Sequence, residues 1–173
     1  MYSTQVSGHV NAPRAAVYRA LVDADAIARW RVPDGMSSRV HAFDAREGGR
    51  FRVSLTYDDQ SGTGKSASHT DTYQGHFAKL VPDEQVVEVL AFETEDAALG
   101  TTMTMTTTLT DADGGTDVLI VHEGIPDSVP AADNETGTRM ALANLARLVE
   151  GEAEAEAQAE VWAEARHDGR DAR

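Results

Sequence analysis

Residues 11–30, NAPRAAVYRALVDADAIARW, constrain the fold more than any other part of this chain. An alternation of apolar residues at period two precedes them and predicts a strand with one buried face. Asn11 then suits a helix cap, and Pro13 suits the first helical turn, where its missing N–H removes no helical bond. Asp23 suits the cap of a second short helix, which ends at Trp30. The chain is therefore predicted to begin with a strand and two short helices.

The middle of the chain, residues 38–123, changes to a period of two. Apolar and polar residues alternate along several segments, and tight-turn sequences such as those at 47–49 and 113–115 separate them. Connections of hairpin length join antiparallel neighbours, so these segments predict an antiparallel meander. Together with the first strand they predict a curved sheet of about six or seven strands. Residues 58–66 form a longer polar loop.

A second helical pattern is predicted over residues 134–150, because apolar residues recur there every three or four positions. They form a face wide enough to lie across a sheet. Asn134 suits the cap of this helix, and Gly151 is expected to end it or kink it. The whole order is a strand, two short helices, a sheet and a long closing helix. It predicts an α+β fold in which the sheet wraps around the helix.

Residues 151–173 differ from the rest in composition and alternate Ala with Glu or Gln over part of their length. They favour helix over strand but lack a broad apolar face, so we predict an acidic tail or a helix extension. Val161 and Trp162 are its only sizeable apolar side chains, suited to docking on the domain or on a second subunit. One domain is therefore placed over residues 1–150, as a monomer or a homodimer.

Composition excludes several classes of protein. The chain has 41% hydrophobic and 25% charged residues, which is ordinary for a globular protein. It has no apolar run near the roughly 20 residues that a membrane span needs. Its net charge of -14 repels nucleic-acid backbones and anionic membrane surfaces, so neither is an expected partner. It has no cysteine and begins without a secretory signal, so a cytoplasmic protein is predicted.

Motifs for several chemistries are absent from the sequence. The histidines show no metal-binding spacing, and no G-x-S-x-G motif occurs, so no metal site, cofactor or nucleophilic hydrolysis is predicted. Residues 62–66, GTGKS, end like a phosphate-binding loop. They lie between two predicted strands, however, whereas such a loop opens a helix. No nucleotide site is expected there.

Several short segments, in their order and spacing, form a more specific signature. They are Ala12-Pro13 with Val17 and Ala20-Leu21, Trp30 at the end of the second helix, DAREGG at 44–49, HTDTYQGHF at 69–77, Leu80-Val81-Pro82, His122-Glu123-Gly124 and Asn144-Leu145. The chain resembles the START-like superfamily, also called SRPBCC, in the branch named for activators of the 90-kDa heat-shock protein (Hsp90) ATPase. The resemblance covers residues 6–150. It departs at Thr138, because relatives often carry Trp after the glycine that stands here at Gly137.

This resemblance implies a helix-grip fold with a deep, mostly apolar cavity between the sheet and the long helix. On face parity, the candidate ligand-binding residues are Trp30, Phe51, Tyr57, Tyr73, Phe92, Met103, Met105 and His122. Plain core packing is the alternative for the Met and aromatic members. Trp30 is also a candidate gate at the rim of the cavity.

Three polar residues are weaker, catalytic candidates. His69, Asp71 and Tyr73 share one face of a predicted strand. Asp71 is thereby placed to orient His69 or Tyr73 as a general acid or base on a bound carbonyl compound. The alternative is a satisfied set of hydrogen bonds on a strand.

Three functional interpretations follow from the resemblance. The leading one is a carrier or sensor that binds a small hydrophobic or aromatic molecule in the cavity. The second is an enzyme that resembles the polyketide cyclases of the same superfamily. The third is an interaction module that assists the Hsp90 chaperone, as the family name implies. A fold by itself does not choose among them.

Overall fold

The computed structural model of the chain describes residues 1–59, 64–67 and 69–168, which form an α+β domain. Its elements in chain order are β1 (Tyr2–Val10), α1 (Arg14–Leu21), α2 (Ala24–Trp30), β2 (Met36–Phe43), β3 (Arg50–Tyr57), β4 (Thr70–Val81), β5 (Gln85–Phe92), β6 (Met103–Ala112), β7 (Gly115–Ile125) and α3 (Ala131–Asp168). The predicted fold class and order of elements are confirmed. The loop predicted over residues 58–66 lies partly outside the described residues.

Seven strands of the described chain form one antiparallel sheet in the order β1-β7-β6-β5-β4-β3-β2. The strands from β2 to β7 form a meander, as predicted. β1 pairs with β7 at the edge farthest from β2, with Val6 opposite Ile120. The register shifts within β1, β2 and β4, and bulges of this kind bend a strand and increase its twist. The sheet is curved, and its concave face receives α3.

Only one of the two predicted caps of the short helices is present. The Asp23 carboxylate accepts a hydrogen bond from the Ala26 N–H at 2.8 Å, as predicted. Asn11 does not cap α1, because Pro13 occupies the cap position and makes no side-chain hydrogen bond there. The Asn11 N–H instead donates to the Glu150 carboxylate at 2.8 Å. Asn11 thus ties the chain before α1 to the closing helix.

The helix α3 is fixed on the β1 side of the sheet. Leu142 and Val149 on its apolar face are buried. Gly8 of β1 lets the helix approach closely, because a Cβ at that position would lie 2.9 Å from Leu142 Cδ2. The Asn144 amide donates to the carbonyl oxygen of Val32 at 2.9 Å, which ties α3 to the segment after α2.

The bounds of α3 differ from the prediction at both ends. The helix begins at Ala131, and the carbonyl of Pro130 accepts a hydrogen bond from the Asn134 N–H at 3.1 Å. Asn134 therefore lies inside the first turn and is not the cap. Gly151 does not end the helix, which continues through it to Asp168. The Ala and Glu residues that follow are strong helix formers, and they outweigh the low propensity of one glycine.

The part of α3 beyond the sheet is exposed. Residues 154–167 are all exposed. Val161 and Trp162 are 64% and 67% exposed, so neither side chain docks on the domain in this structure. Ala153 is the last described residue that packs against the core. None of the described helices is long and apolar enough to cross a membrane.

Deleting residues 155–173 is expected to change the free energy of unfolding by no more than about 0.5 kcal/mol, because the described part of this segment packs on nothing. Urea unfolding of the full and the shortened chain measures the difference. A larger loss would show that the segment contributes contacts to the fold. A loss that appears only at high protein concentration would show that it contacts a second copy.

Candidate ligand-binding cavity

A cavity of about 690 Å³ lies between the concave face of the sheet and the first part of α3. Seven of the eight predicted ligand-binding residues line it. They are Trp30, Tyr57, Tyr73, Phe92, Met103, Met105 and His122. Further apolar surface comes from Leu55, Leu90, Ile120, Ile125, Met140 and Ala141. The structure thus brings these residues to one wall, and ligand binding by them stays a prediction.

Cross-strand pairing explains why residues far apart in sequence share this wall. Phe92 lies opposite Tyr73, and His122 lies opposite Met105. Directly opposed residues of antiparallel strands project from the same face of a sheet. Alternation along each strand sends the intervening residues to the convex face. The period-two patterns of the sequence therefore determine which side chains face the cavity.

Phe51 is the predicted binding residue that does not line the cavity. Its ring packs edge-on against the rings of Phe77 and Tyr73, with centroids 5.2 and 6.1 Å away. The side chain is buried, and Gly75 lies opposite it on β4. The structure therefore places Phe51 in the aromatic core and outside the cavity lining.

Trp30 forms part of the wall and is not at the rim. Its side chain is 2% exposed, and its indole N–H donates to the carbonyl oxygen of Ala20 at 2.8 Å. The gate hypothesis placed Trp30 at the rim, whereas the structure buries its ring in the wall. The exposed lining residues, which mark the opening to solvent, are Asp34, Ser128, Pro130, Asp133 and Thr136. They come from the turn after α2, from the connection between β7 and α3, and from the start of α3.

A buried ion pair between the lining residue Arg31 and Glu88 was not predicted from the sequence. Arg31 donates through both terminal nitrogens to the two carboxylate oxygens of Glu88, each at 2.8 Å. The two side chains are 13% and 1% exposed. Burial lowers the pKa of Arg31, but the adjacent Glu88 carboxylate raises it above its ordinary value, so the guanidinium stays charged.

The alternation of residues along β5 indicates that one member of this pair, Glu88, is buried. Val86, Glu88 and Leu90 occupy alternate positions of β5, so Glu88 lies on the buried face between two apolar residues. A buried carboxylate needs a positive or hydrogen-bonding partner. Arg31 lies 57 residues away in the chain, and no spacing rule identifies it as that partner.

Two buried polar atoms of the wall, the Tyr73 hydroxyl and His122 Nε2, make no hydrogen bond of good geometry in the described part of the chain. The Arg31 guanidinium acts on Tyr73 but can only donate to its oxygen, so the Tyr73 O–H lacks an acceptor. Arg31, Tyr73 and His122 line the same cavity, and Arg31 is paired with Glu88. We call Arg31, Tyr73, Glu88 and His122 the inner polar cluster. Burial raises the pKa of the Tyr73 phenol more than the Arg31 charge lowers it, so the hydroxyl stays protonated.

His122 is held as a neutral imidazole. The Asn134 side-chain amide accepts a hydrogen bond from Thr4 Oγ1 at 2.6 Å and donates through Nδ2 to His122 Nδ1 at 3.1 Å. Burial, and then the Arg31 charge, lower the pKa of His122 to about 4. Its single proton therefore lies on Nε2, the atom without a partner.

The low pKa of His122 makes stability depend on pH. Between about 4 and the ordinary value of 6.5, the folded protein binds fewer protons than the unfolded chain. The contribution of His122 is therefore complete above pH 6.5 and is lost as the pH falls toward 4. Between pH 7 and pH 4.5 we expect the wild type to lose about 2 kcal/mol more stability than His122→Gln. Urea unfolding of both proteins at the two pH values measures this, and parallel losses would contradict it.

Of the three predicted catalytic residues, Asp71 is held by Lys65. The Asp71 carboxylate accepts hydrogen bonds from the Lys65 ammonium at 2.8 Å and from the Lys65 backbone N–H. The same ammonium lies 4.9 Å from the centroid of the Phe92 ring. The Tyr73 hydroxyl has no partner in the described chain, so Asp71 does not orient it. His69 lies in the turn before β4 and is not among the described residues that line the cavity.

The charges of the lining largely neutralise one another. Both of its Lys or Arg side chains in the described chain, Arg31 and Lys65, are paired with carboxylates. Asp34 and Asp133 add negative charge at the exposed opening. Within residues 1–59, 64–67 and 69–168, no group of three His, Cys, Asp or Glu side chains is arranged to hold a metal ion.

The family model described as Activator of Hsp90 ATPase homolog 1-like protein matches residues 11–150. The match begins before α1 and ends in the part of α3 that covers the sheet. The chain belongs to this family. The resemblance drawn from the sequence motifs is thereby confirmed, and the match stops where the exposed part of α3 begins.

Solved structures resemble this member of the Hsp90 ATPase activator homolog family along most of its length. Protein CV1439 from Chromobacterium violaceum is 32% identical over 86% of this chain and 97% of that chain, with a TM-score of 0.77. An AHSA1-like protein from Aeromonas hydrophila is 22% identical over 87% of this chain and 94% of that chain, with a TM-score of 0.65.

A third similar structure comes from a biosynthetic context. DynU16, a protein in the dynemicin biosynthetic locus, is 21% identical over 87% of this chain and 48% of that chain, with a TM-score of 0.62. At this identity, the likenesses to DynU16 and to the Aeromonas protein show a shared fold alone. No curated protein matches the chain.

Proposed function

We propose that this family member binds a small hydrophobic or aromatic molecule in the cavity between the sheet and α3. The proposal rests on the cavity of about 690 Å³, lined mainly by aromatic and aliphatic side chains. Ligand pockets in proteins typically have this size and combine an apolar wall with a few polar groups. A carrier or sensor role follows, because the wall supports binding without supplying an assembled reaction centre.

The start of α3 supports the same proposal. Gly137 and Thr138 line the cavity and give it little side-chain volume. A Cβ added at Gly137 would meet no atom within 4 Å. The small size of these two residues therefore helps to keep the cavity wide. The sequence had already departed from its relatives at this point, where a Trp is often found.

The enzymatic alternative receives less support. A polyketide-cyclase-like step needs a general acid or base placed against the bound compound. The Asp71 carboxylate is held by Lys65, and His69 is not among the described residues that line the cavity. The Tyr73 hydroxyl is protonated, and both oxygens of the Glu88 carboxylate, which acts on it, are bound by Arg31. We therefore propose binding without catalysis.

The proposed function is tested with N-phenyl-1-naphthylamine, a neutral aromatic probe that fluoresces strongly only in apolar surroundings. Trp30 lines the cavity, whereas Trp162 is exposed on the far part of α3. In a Trp162→Phe background, Trp30 is the only tryptophan and reports on the cavity alone. We expect saturable probe fluorescence that is excited through Trp30. Absence of saturable energy transfer from Trp30 would reject binding in this cavity.

Two glycines of α3 offer a matched pair of variants. Gly137→Leu adds a side chain where the cavity is open, and Gly151→Leu adds the same side chain in the same helix away from the cavity. Neither added Cβ meets an atom within 4 Å. We expect Gly137→Leu to weaken probe binding about 10-fold or more, by filling volume that the probe uses, while Gly151→Leu leaves it unchanged. Equal affinities for the two variants would place the probe elsewhere.

A further inference from the structure

We infer that the inner polar cluster recognises the carbonyl oxygen of a neutral ligand, such as a ketone or an aldehyde, and that the cavity discriminates against a carboxylate of the same shape. The inference rests on the proposed function and specifies the class of molecule that the cavity takes. It follows from three observations. Two buried donors lack an acceptor, the hydrogen bond from Asn134 leaves the proton of His122 on Nε2, and the nearby cations Arg31 and Lys65 are paired with carboxylates.

The two donor atoms are buried in the wall of the cavity. Tyr73 is 5% exposed, and its hydroxyl has no hydrogen-bond partner in the described chain. His122 Nε2 also has no hydrogen-bond partner in the described chain. A buried donor without an acceptor destabilises a folded protein. A ligand that supplies the missing acceptor therefore gains binding free energy at this end of the cavity.

The Asn134 amide determines which kind of group fits. Because Asn134 Nδ2 donates to His122 Nδ1 at 3.1 Å, His122 presents an N–H at Nε2 and can only donate there. The Tyr73 hydroxyl can donate as well. A carbonyl oxygen has two lone pairs and no hydrogen of its own, so it can accept a hydrogen bond from either donor. An alcohol would bring a further donor into a wall that already has two donors to satisfy.

The charges around the cavity disfavour an anionic ligand. Arg31 and Lys65 are the Lys and Arg side chains of the described lining, and each lies 2.8 Å from a carboxylate oxygen. An incoming carboxylate would lose its hydration without gaining an unpaired cation. It would also pass Asp34 and Asp133, which are exposed at the opening. A neutral acceptor meets neither penalty.

The test uses three naphthalene probes of nearly the same shape on the full chain at pH 7. They are 2-acetylnaphthalene, the hydrocarbon 2-isopropenylnaphthalene and the anion 2-naphthoate, and isothermal titration calorimetry gives each affinity. We expect the ketone to bind about 10-fold more tightly than the hydrocarbon, because it gains hydrogen bonds to neutral donors. We expect the carboxylate to bind at least about 10-fold more weakly than the ketone.

Conservative variants assign the preference to the two donors. Tyr73→Phe removes the hydroxyl and keeps the ring, and His122→Asn keeps an acceptor near the Nδ1 position while removing Nε2. Each is expected to reduce the ketone-to-hydrocarbon affinity ratio to about 3 or less. His122→Gln places an amide N–H near the Nε2 position and is expected to restore part of the ratio. Tyr18→Phe removes a hydroxyl outside the lining and is expected to leave the ratio unchanged.

The outcomes separate this inference from the proposed function. Equal affinity of the wild type for ketone and hydrocarbon overturns the inference while binding in the cavity stands. Tighter binding of 2-naphthoate than of the ketone also overturns it, as does a ratio that neither Tyr73→Phe nor His122→Asn changes. If the hydrocarbon and the ketone both fail to bind, the proposed function is rejected together with the inference. The affinity of each variant for the hydrocarbon, with its thermal unfolding, reports that the variant is folded.

Discussion

Replacing Arg31 by methionine is expected to lower the free energy of unfolding by about 3–5 kcal/mol, because it leaves the Glu88 carboxylate buried without its positive partner. Glu88 is 1% exposed, and both of its oxygens accept hydrogen bonds from Arg31. Urea unfolding of Arg31→Met at pH 7 measures the loss. The size of the effect comes from desolvation of the remaining charge more than from the strength of the lost attraction.

A second, more exposed ion pair provides the matched control. Arg52 also binds both oxygens of a carboxylate, that of Glu93, but the side chains are 43% and 30% exposed. Arg52→Met should therefore cost less than about 1 kcal/mol, since water can solvate the carboxylate that remains. In the double variant Arg31→Met with Glu88→Leu, most of the lost stability should return. A similar loss in Arg31→Met and Arg52→Met would refute the role given to burial.

The second large effect is expected at Gly75, where Gly75→Ala should destabilise the domain by roughly 3 kcal/mol. A Cβ at this position would lie 2.0 Å from the backbone carbonyl oxygen of Val89, on the neighbouring strand. Backbone atoms in the middle of a sheet cannot move aside without breaking the hydrogen bonds of the ladder. Chemical unfolding and the yield of folded protein both report the effect.

Gly8 serves as the control for Gly75, since it also lies in a strand and is closely approached. A Cβ at Gly8 would lie 2.9 Å from Cδ2 of Leu142, which is the end of a flexible side chain and can rotate away. We expect Gly8→Ala to cost about 1 kcal/mol or less. If both alanine variants lost stability equally, the backbone contact at Val89 would not be the cause.

The sequence predicted the features of the fold that depend on local periodicity. The meander, the two short helices and the closing helix were all confirmed, because each pattern reports which face of an element is buried. Helix ends were predicted less well. Asn11, Asn134 and Gly151 were each assigned to a helix terminus from residue type alone. The structure places Asn11 before the cap of α1, and Asn134 and Gly151 inside α3.

The sequence likewise predicted some features of the candidate site and missed others. Face parity placed Tyr73, Phe92, Met105 and His122 on one side of the sheet, where the cavity lies. Phe51 has the same parity, yet it packs in the aromatic core. Parity shows which face of the sheet a side chain occupies. It does not show which part of that face is covered by the closing helix and which part is left open as a cavity. The position of the open part depends on where α3 crosses the sheet.

By itself, then, the sequence determined the order of elements, the face on which each side chain lies and the family to which the chain belongs. The tertiary structure alone decided that Arg31 meets Glu88, that Lys65 holds Asp71, and that Tyr73 is left without a partner. The physical reason is the distance along the chain over which each feature is determined. Periodicity is set by neighbours within a few residues, whereas partners for buried polar groups are set by packing between segments that lie far apart in the chain.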